Sequence, residues 1–99
     1  MATLNYRAGS PTPICIRVLE ADGTAADITA TTMELRLPIL GACLPVSGTL
    51  VEDAEGDFWE VSLSSLALPH RLLAGAIWVD WGRGPEYLTT IYLNITGGC

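Results

Sequence analysis

Residues 76–95 read AIWVDWGRGPEYLTTIYLNI. Two runs rich in β-branched and aromatic residues flank Gly82-Arg83-Gly84-Pro85, and this arrangement predicts a turn between two strands. Alternate residues of each run share a face: Ile77, Val79 and Trp81 in the first, and Tyr87, Thr89, Ile91, Leu93 and Ile95 in the second. The stretch therefore predicts a long antiparallel hairpin, around which the rest of the chain is arranged.

The opposite face of this hairpin also carries large apolar groups. Trp78 lies there in the first strand, and Leu88 and Tyr92 lie there in the second. An antiparallel sheet in a lone domain needs only one apolar face, because the other can meet water. The second face therefore points to a neighbouring protein and not to a substrate.

The composition fits one folded domain. The chain has 99 residues, of which 49% are hydrophobic, and its mean hydropathy is +0.38. These values exclude intrinsic disorder, which needs low hydrophobicity and high charge. The net charge of −6 comes from eleven carboxylates and five arginines, with no lysine. Because nucleic acids and anionic membrane surfaces attract basic proteins, this balance argues against both as partners.

No segment of the sequence predicts a membrane span or a secretion signal. The longest uncharged stretch, Leu37 to Val51, is interrupted by prolines and glycines. The first residues, MATLNYR, contain no basic segment that leads into an apolar run. We therefore expect the chain to be made in the cytoplasm and kept there until it assembles.

Short strand patterns separated by turn residues occupy the rest of the chain. Period-2 alternation predicts strands at Ile14–Glu20, at Thr31–Leu37 (ended by Pro38), at Ser47–Glu52 and at Asp57–Leu63. Ser64–Pro69 resembles one helical turn, with a serine cap and a terminating proline.

About seven short strands, with turns every ~8–12 residues and at most one helical turn, predict an all-β fold. The expected architecture is an antiparallel immunoglobulin-like β-sandwich. The Cys…Trp…Cys signature of true immunoglobulin domains is missing, so the pattern indicates the architecture alone. The sandwich is predicted over residues 13–95, preceded by an arm or edge strand at 1–12 and followed by a tail at 96–99.

An apolar segment, Ile39–Val46, is broken by Gly41 and Pro45 and predicts a loop or an irregular crossover. An apolar loop is unusual when fully exposed, so this segment is the best candidate for a contact surface; the alternative is that it covers the domain's own core. With the second face of the hairpin, it supplies the predicted partner-contact residues Ile39, Leu40, Leu44, Val46, Trp78 and Tyr92.

The sequence predicts no catalytic site, no metal site and no cofactor. His70 is the only histidine, and no Gly-x-Ser-x-Gly motif accompanies it, so we interpret it as a surface residue. Asp53, Glu55 and Asp57 alternate in a way that a hard cation could use. The further ligands of an EF-hand are missing, which favours a charged turn. We therefore do not expect an enzyme.

The cysteines and Asp80 have ordinary interpretations. Cys15, Cys43 and Cys99 match no zinc spacing. Cys15 lies in a predicted strand and is interpreted as a small core residue, and Cys99 as a free terminal thiol that could cross-link chains. Asp80 is expected to face solvent or to pair with an arginine.

The aromatic residues leave one alternative open. Trp59, Trp78 and Trp81, together with Tyr87 and Tyr92, could form a sugar-stacking platform on one face. Large aromatics are more often used in cores and interfaces. A carbohydrate-binding module is therefore the weaker hypothesis.

Taken together, Pro13 to Ile95 resembles a small immunoglobulin-like β-sandwich found in virion proteins of tailed phages. The likeness is to the N-terminal domain of baseplate upper proteins and to head-spike or head-fibre modules. The matching stretches are ICIRVLEADGT (14–24), which leads into Asp27-Ile28-Thr29, then MELRL (33–37), DFWEVSL (57–63) and LALP (66–69) before the final hairpin. The sequence departs from the family pattern in two segments. Residues 70–74 are an insertion before Gly75, and the segment 39–46 is longer and more apolar than the corresponding loop of the family.

The resemblance implies a virion structural protein that docks on a phage particle by protein–protein contacts. A chain of only this domain is more similar to a capsid decoration protein, or to the base of a head spike or fibre, than to a complete fibre. A structural component of the tail or baseplate is the alternative. Other virion proteins and further copies of the chain are the implied partners, with a trimer expected because oligomers on symmetric particles are themselves usually symmetric.

Overall fold

The computed structural model describes residues 3–24 and 26–97. Within these ranges the chain forms strands and no helix, so no described segment is a helix that could cross a membrane. The strands are β1 (Thr3–Arg7), β2 (Ile14–Ile16), β3 (Thr32–Ile39), β4 (Ala42–Ser47), β5 (Thr49–Val51), β6 (Phe58–Val61), β7 (Leu72–Asp80) and β8 (Pro85–Thr96).

Two sheets form the fold, in the orders β1-β8-β7-β3-β4 and β2-β6-β5. The predicted all-β class with two sheets is confirmed, with eight described strands instead of about seven. The prediction that all pairings are antiparallel is wrong at one place, because β1 runs parallel to β8. Alternation within a strand specifies its faces but not its direction, and the parallel pairing still turns Tyr6 into the core. The immunoglobulin-like detail stays a prediction.

The core lies between the sheets and follows the predicted alternation. In β3, Met33, Leu35 and Leu37 are buried, and β6 with the residues after it buries Trp59, Val61 and Leu63. The other buried hydrophobic residues are Tyr6, Ile14, Ile28, Leu68, Leu73, Ile77, Val79, Ile91, Leu93 and Ile95. Among the described residues, the indole Nε1 of Trp59 is a buried side-chain donor without a hydrogen-bond partner. Its large apolar area outweighs that cost.

The predicted hairpin is confirmed and is longer than expected, because β7 begins at Leu72. Its register shifts between Ile77, opposite Thr89, and Trp78, opposite Tyr87. Leu88 is the extra residue and forms a β-bulge. The bulge places Tyr87 on the outer face of the sheet with Trp78, whereas Ile91 lies on the core face. The predicted face of Tyr87 is therefore wrong. Trp81 lies beyond the end of β7 and is 37% exposed, so it does not share the buried face of Ile77.

The prediction of a loop at Ile39–Val46 is wrong, because β3 and β4 form a second hairpin. Leu40 and Gly41 alone separate the strands, with φ angles of 53° and 75°. Positive φ at both central residues defines a type I′ turn, whose twist matches paired strands. The sequence concealed it because asparagine or glycine usually occupies the position of Leu40.

Two prolines are accommodated at positions where the sheet does not need their missing N–H. Pro38 does not end β3 as predicted; it pairs with Cys43, beyond the last β3–β7 pair at Arg36. Ile39 and Ala42 close the hairpin as a hydrogen-bonded pair, and along an antiparallel ladder such pairs alternate with pairs that share no hydrogen bonds. Pro38 and Pro45 lie in pairs of the second kind, so their backbone groups point away from the partner strand. Pro45 thus faces the open edge of β4, where proline is tolerated.

The strand predicted at Ser47–Glu52 is divided between the two sheets. Ser47 ends β4, Gly48 crosses over, and β5 starts at Thr49 in the smaller sheet. The Gly48 N–H donates to the Met33 carbonyl oxygen at 3.1 Å, and a Cβ at Gly48 would overlap the Met33 side chain. Glycine allows this close crossing over the core.

Three further local predictions are wrong. Residues 64–69 form no helical turn, because the backbone hydrogen bond described there, from the N–H of Leu66 to the carbonyl of Leu63, closes an isolated turn. The segment then continues without regular secondary structure and buries Leu68 in the core. Cys15 is exposed, because Ile14 occupies the core face of β2 and alternation turns Cys15 outward, opposite Glu60. The strand predicted at 14–20 ends at Ile16. Cys99 lies outside the described residues.

Paired aspartate turns support the long crossover from β2 to β3. Asp22 Oδ1 accepts hydrogen bonds from the N–H and hydroxyl of Thr24, at 3.0 and 2.6 Å. Asp27 Oδ1 accepts the same two bonds from Thr29, at 3.1 and 2.7 Å. Ile28 lies inside the second turn, between Asp27 and Thr29, and its side chain is fully buried in the core. Hydrogen bonds from the threonines lower the pKa of both carboxyl groups.

These lowered pKa values predict a loss of stability in acid. A carboxyl group with a lowered pKa in the folded state stabilises the fold above its unfolded pKa, and this contribution disappears as the pH falls through the folded value. We expect the Asp22→Asn/Asp27→Asn variant to lose less stability than the wild type as the pH falls below the ordinary aspartate pKa of 3.8. Urea unfolding followed by tryptophan fluorescence measures this. Glu52→Gln is the control, because it removes an exposed carboxylate from another segment. The prediction would be contradicted if the free energy of unfolding fell equally with pH in the wild type and the double variant.

Close packing between β7 and β3 predicts that a side chain at Gly75 would have to displace buried neighbours. An added Cβ would lie 2.9 Å from Leu35 Cδ1 and 3.2 Å from Leu37 Cδ2, both in fully buried residues. We expect Gly75→Ala to destabilise the protein by about 1–3 kcal/mol through overpacking, measured by urea unfolding. Ala74→Val, which adds volume to the opposite face of the same strand, is the control and should change stability by less than about 0.5 kcal/mol.

Candidate functional site

The structure places the six predicted contact residues in three locations. Leu44 and Val46 pair with Leu37 and Leu35 and therefore face the core side of the sheet, at its β4 edge. Leu40 lies at the tip of the β3–β4 hairpin, with Ile39 beside it. Trp78 and Tyr92 lie on the outer face of the larger sheet, the face turned away from the smaller sheet. The predicted residues therefore do not form one patch.

Leu40 is the most exposed large hydrophobic residue of the described chain, at 96%. Its φ of 53° is in the left-handed region, which costs a residue with a Cβ roughly 1–2 kcal/mol. Beside it lies a groove of about 440 Å³, lined by Ile39, Leu40, Gly41, Ala67, Leu68, Pro69 and Arg71. An apolar side chain in an unfavourable conformation beside an apolar groove is suited to a protein contact.

The outer face of the larger sheet carries a row of stacked side chains. The Arg36 guanidinium lies over the Trp78 ring, 4.2 Å from its centroid, and Arg36 Nε donates to Glu34 Oε1 at 2.7 Å. On the other side, the Tyr87 ring meets the Trp78 ring edge to face at 6.0 Å. The bulge at Leu88 makes that last contact possible. Glu34, Arg36 and Trp78 are half-buried and Tyr87 is exposed. The row is neutral in sum and ordered by its own contacts, as in the centre of an interface.

The tryptophans do not form the sugar-stacking platform that the sequence left open. Trp59 lies in the core with 1% of its surface exposed, and Trp81 lies in the turn after β7. Trp78 has Arg36 over its ring, so that face of the indole is already occupied. A sugar would need an open ring face to stack on.

The ionisable candidates have structural partners. Asp53 forms an ion pair with Arg17 at 3.0 Å, and the described residues contain no group of three or more His, Cys, Asp or Glu residues arranged to hold a metal ion. Within the described ranges Asp80 forms no ion pair with an arginine; its Oδ1 accepts hydrogen bonds from the N–H groups of Gly82 and Gly84, at 2.7 and 3.2 Å. It thereby closes the β7–β8 turn. His70 is exposed.

Sequence reasoning missed a groove at the other end of the larger sheet. It has a volume of about 440 Å³ and lies between β1 and β2, with Leu4, Tyr6, Ile14 and Cys15 among its lining residues. No local signal could have revealed it, because it depends on β1 pairing with a strand almost ninety residues later in the chain.

No family model and no curated protein matches this chain.

The strained turn predicts a stabilising substitution at the exposed tip. Leu40→Asn should raise the free energy of unfolding by about 1 kcal/mol, because asparagine adopts the left-handed conformation more readily than leucine. Leu40→Ala is the control, since it removes the apolar side chain but keeps a Cβ at the same φ, and it should leave stability nearly unchanged. Urea unfolding of the three proteins measures the difference; equal stabilities for Leu40→Asn and Leu40→Ala would contradict a strained turn.

Proposed function

We propose that this chain is a structural protein of a bacteriophage virion, a small β-sandwich that docks on the particle through protein–protein contacts. Its place would be that of a capsid decoration protein or of the base of a head spike or fibre. It would be made in the host cytoplasm and then assembled into the virion with capsid or other virion proteins as partners. Further copies of the chain would complete the assembly.

The strand order supports the resemblance on which this proposal rests. The three-stranded sheet, β2-β6-β5, corresponds to the order B-E-D of an immunoglobulin sandwich. In the larger sheet, β8-β7-β3-β4 corresponds to the order G-F-C-C′ of the variable type. This correspondence favours an immunoglobulin-like module, although it does not indicate a partner.

The exposed tip at Leu40 is the observation that carries the proposal of a docking role. A leucine at 96% exposure gains nothing from its own fold, and its backbone conformation reduces stability. Burial against a partner would recover roughly 1.5–3 kcal/mol for such a side chain. The adjacent groove continues the apolar surface to Pro69, and Arg71 at its rim donates to the Pro38 carbonyl at 3.5 Å.

A tail or baseplate component is the second candidate, because the same fold and the same tip would serve there. Labelling of the chain on intact particles, followed by electron microscopy, separates the two locations. Label at the capsid supports the head assignment, and label only at the tail supports the alternative.

Docking through the tip predicts that one substitution will separate binding from stability. On particles assembled without this chain, we expect the wild-type protein to rebind and Leu40→Asn to bind at least about tenfold more weakly, measured by co-sedimentation. Because Leu40→Asn should be the more stable protein, unfolding would not explain the loss. Leu19→Asn, at another exposed leucine, is the control and should bind like the wild type. A wild-type protein that does not bind the depleted particles would overturn the proposal.

A further inference from the structure

Arg71 lies at the rim of the groove beside Leu40, where its charge has no counterpart among the described residues. Three other arginines form ion pairs with carboxylates, at 3.0, 2.7 and 3.1 Å. The exposed guanidinium of Arg71 forms none within the described ranges; its Nη2 donates to the Pro38 carbonyl at 3.5 Å, which is a long hydrogen bond. A guanidinium has five N–H donors, so this bond leaves most of them available to an anion.

No carboxylate lies in the two segments that line this groove. Residues 35–51 and 61–79 contain none of the eleven acidic residues of the chain, and every lining residue of the groove belongs to one of these segments. Although the whole chain has a net charge of −6, the groove is therefore lined by apolar residues and one arginine.

The carboxylates of the larger sheet are distant from the groove or already paired. Asp80 pairs with Thr32, which lies seven residues before Ile39 in β3. At about 3.3 Å per residue, this separation is roughly 23 Å, more than twice the Debye length of about 8 Å at physiological ionic strength. Glu34 and Glu86 are each balanced by an ion pair with an arginine. Arg71, directly before β7, therefore sets the charge at the groove, which favours an anionic partner group.

The groove is large enough for one or two side chains. Its volume of about 440 Å³ lies near the lower end of the roughly 300–1,000 Å³ of ligand pockets, and buried Leu68 belongs to its lining. A small molecule confined to the groove would leave Leu40, which is 96% exposed, in water. A segment of another protein would cover both surfaces, so it is the better occupant.

We propose that the partner contributes an extended segment in which an aliphatic or aromatic side chain is followed by a carboxylate. The apolar side chain lies in the groove against Leu40, and the carboxylate binds Arg71. Arginine and a carboxylate can form two parallel hydrogen bonds, which fix the direction of the segment. The carboxylate belongs either to an aspartate or glutamate next to the apolar residue or to the C-terminus of the partner chain. This inference rests on the proposed docking function and names the chemistry of the partner at the same tip.

Two other classes of partner do not fit this site. A nucleic acid also carries anionic groups, but it presents a dense array of phosphates that the net charge of −6 repels. A basic segment would be attracted by the chain as a whole but would meet Arg71 at the rim of the groove. A single carboxylate beside an apolar group matches both the charge and the walls of the groove.

Titration of the purified, nitrogen-15-labelled chain with short peptides, followed by NMR, tests this chemistry without a particle. The main probe is acetyl-Gly-Leu-Asp-Gly-amide, and acetyl-Gly-Leu-Asn-Gly-amide is its uncharged match. We expect both to shift the backbone amide signals of Gly41 and Arg71, with the charged peptide binding about two- to fivefold more tightly, as for an exposed ion pair. In about 1 M salt, where the Debye length falls to about 3 Å, the two affinities should converge.

Two further peptides test the apolar side chain and the source of the carboxylate. Acetyl-Gly-Ala-Asp-Gly-amide lacks the large apolar group and should bind more weakly than the Leu-Asp peptide. Acetyl-Gly-Gly-Leu, with a free C-terminal carboxylate, compares the two sources. Tighter binding than that of the Leu-Asp peptide supports a chain terminus, and weaker binding supports an acidic side chain.

Arg71→Gln tests the role of the guanidinium, and Arg83→Gln, at another exposed arginine, is its matched control. We expect Arg71→Gln to bind the Leu-Asp and Leu-Asn peptides equally. Arg71→Lys keeps the charge but not the fork of donors, so it should retain part of the preference. Arg83→Gln should retain all of it. Dispersed amide signals verify that each variant is folded.

Three outcomes would overturn the inference: neither leucine peptide shifts Gly41 and Arg71 at millimolar concentration, both bind the wild type equally at low salt, or the preference persists in Arg71→Gln. Rebinding to the depleted particles distinguishes these failures from failure of the proposed function. A wild type that does not rebind overturns the docking proposal, and the peptide titration still decides the chemistry of the groove. A wild type that rebinds no better than Arg71→Gln retains the docking proposal and contradicts the role of Arg71.

Discussion

The packing of two apolar sheet faces against each other is the constraint on which the structure depends. Leu35, Leu37, Ile77 and Val79 line the larger sheet, and Trp59 and Val61 line the smaller one, all within a single hydrophobic cluster. Each such side chain, once fully buried, contributes roughly 1.5–3 kcal/mol. Because both faces must meet, each connection that is not a hairpin carries the chain from one sheet to the other. Gly48 and Gly75 are glycines for this reason: each lies where a Cβ would enter the space that the core side chains fill.

Outside the core, three separate places of the described chain carry apolar groups that bear on a partner contact. Leu40 projects from one hairpin tip, the row of Arg36, Trp78 and Tyr87 lies on the outer face, and Leu4 lies at the β1 edge. The row is already ordered by its own contacts, whereas the tip and the edge leave apolar or backbone groups open to a partner.

Most of the fold could be predicted from the sequence, but only part of the candidate surface could. The strand faces around Met33–Leu37, Trp59–Leu63 and Ile91–Ile95 followed from alternation, which is a local property of extended backbone. The loop prediction at Ile39–Val46 failed because leucine rarely begins a type I′ turn. The face of Tyr87 was wrong because a bulge adds one residue and reverses the alternation. Leu40 was nevertheless identified as a contact residue, since its hydrophobicity is a property of the residue itself.

By itself, the sequence determined the all-β class, the long final hairpin and the inward residues of most strands, since the period of two and the turn residues are encoded locally. Tertiary structure alone decided the parallel pairing of β1 with β8, the division of 47–52 between two sheets and the outward position of Cys15. Each of these depends on which strands become neighbours. The physical reason is that pairing energy depends on backbone groups that are the same in every residue, so the choice of partner is made by the packing of the whole core.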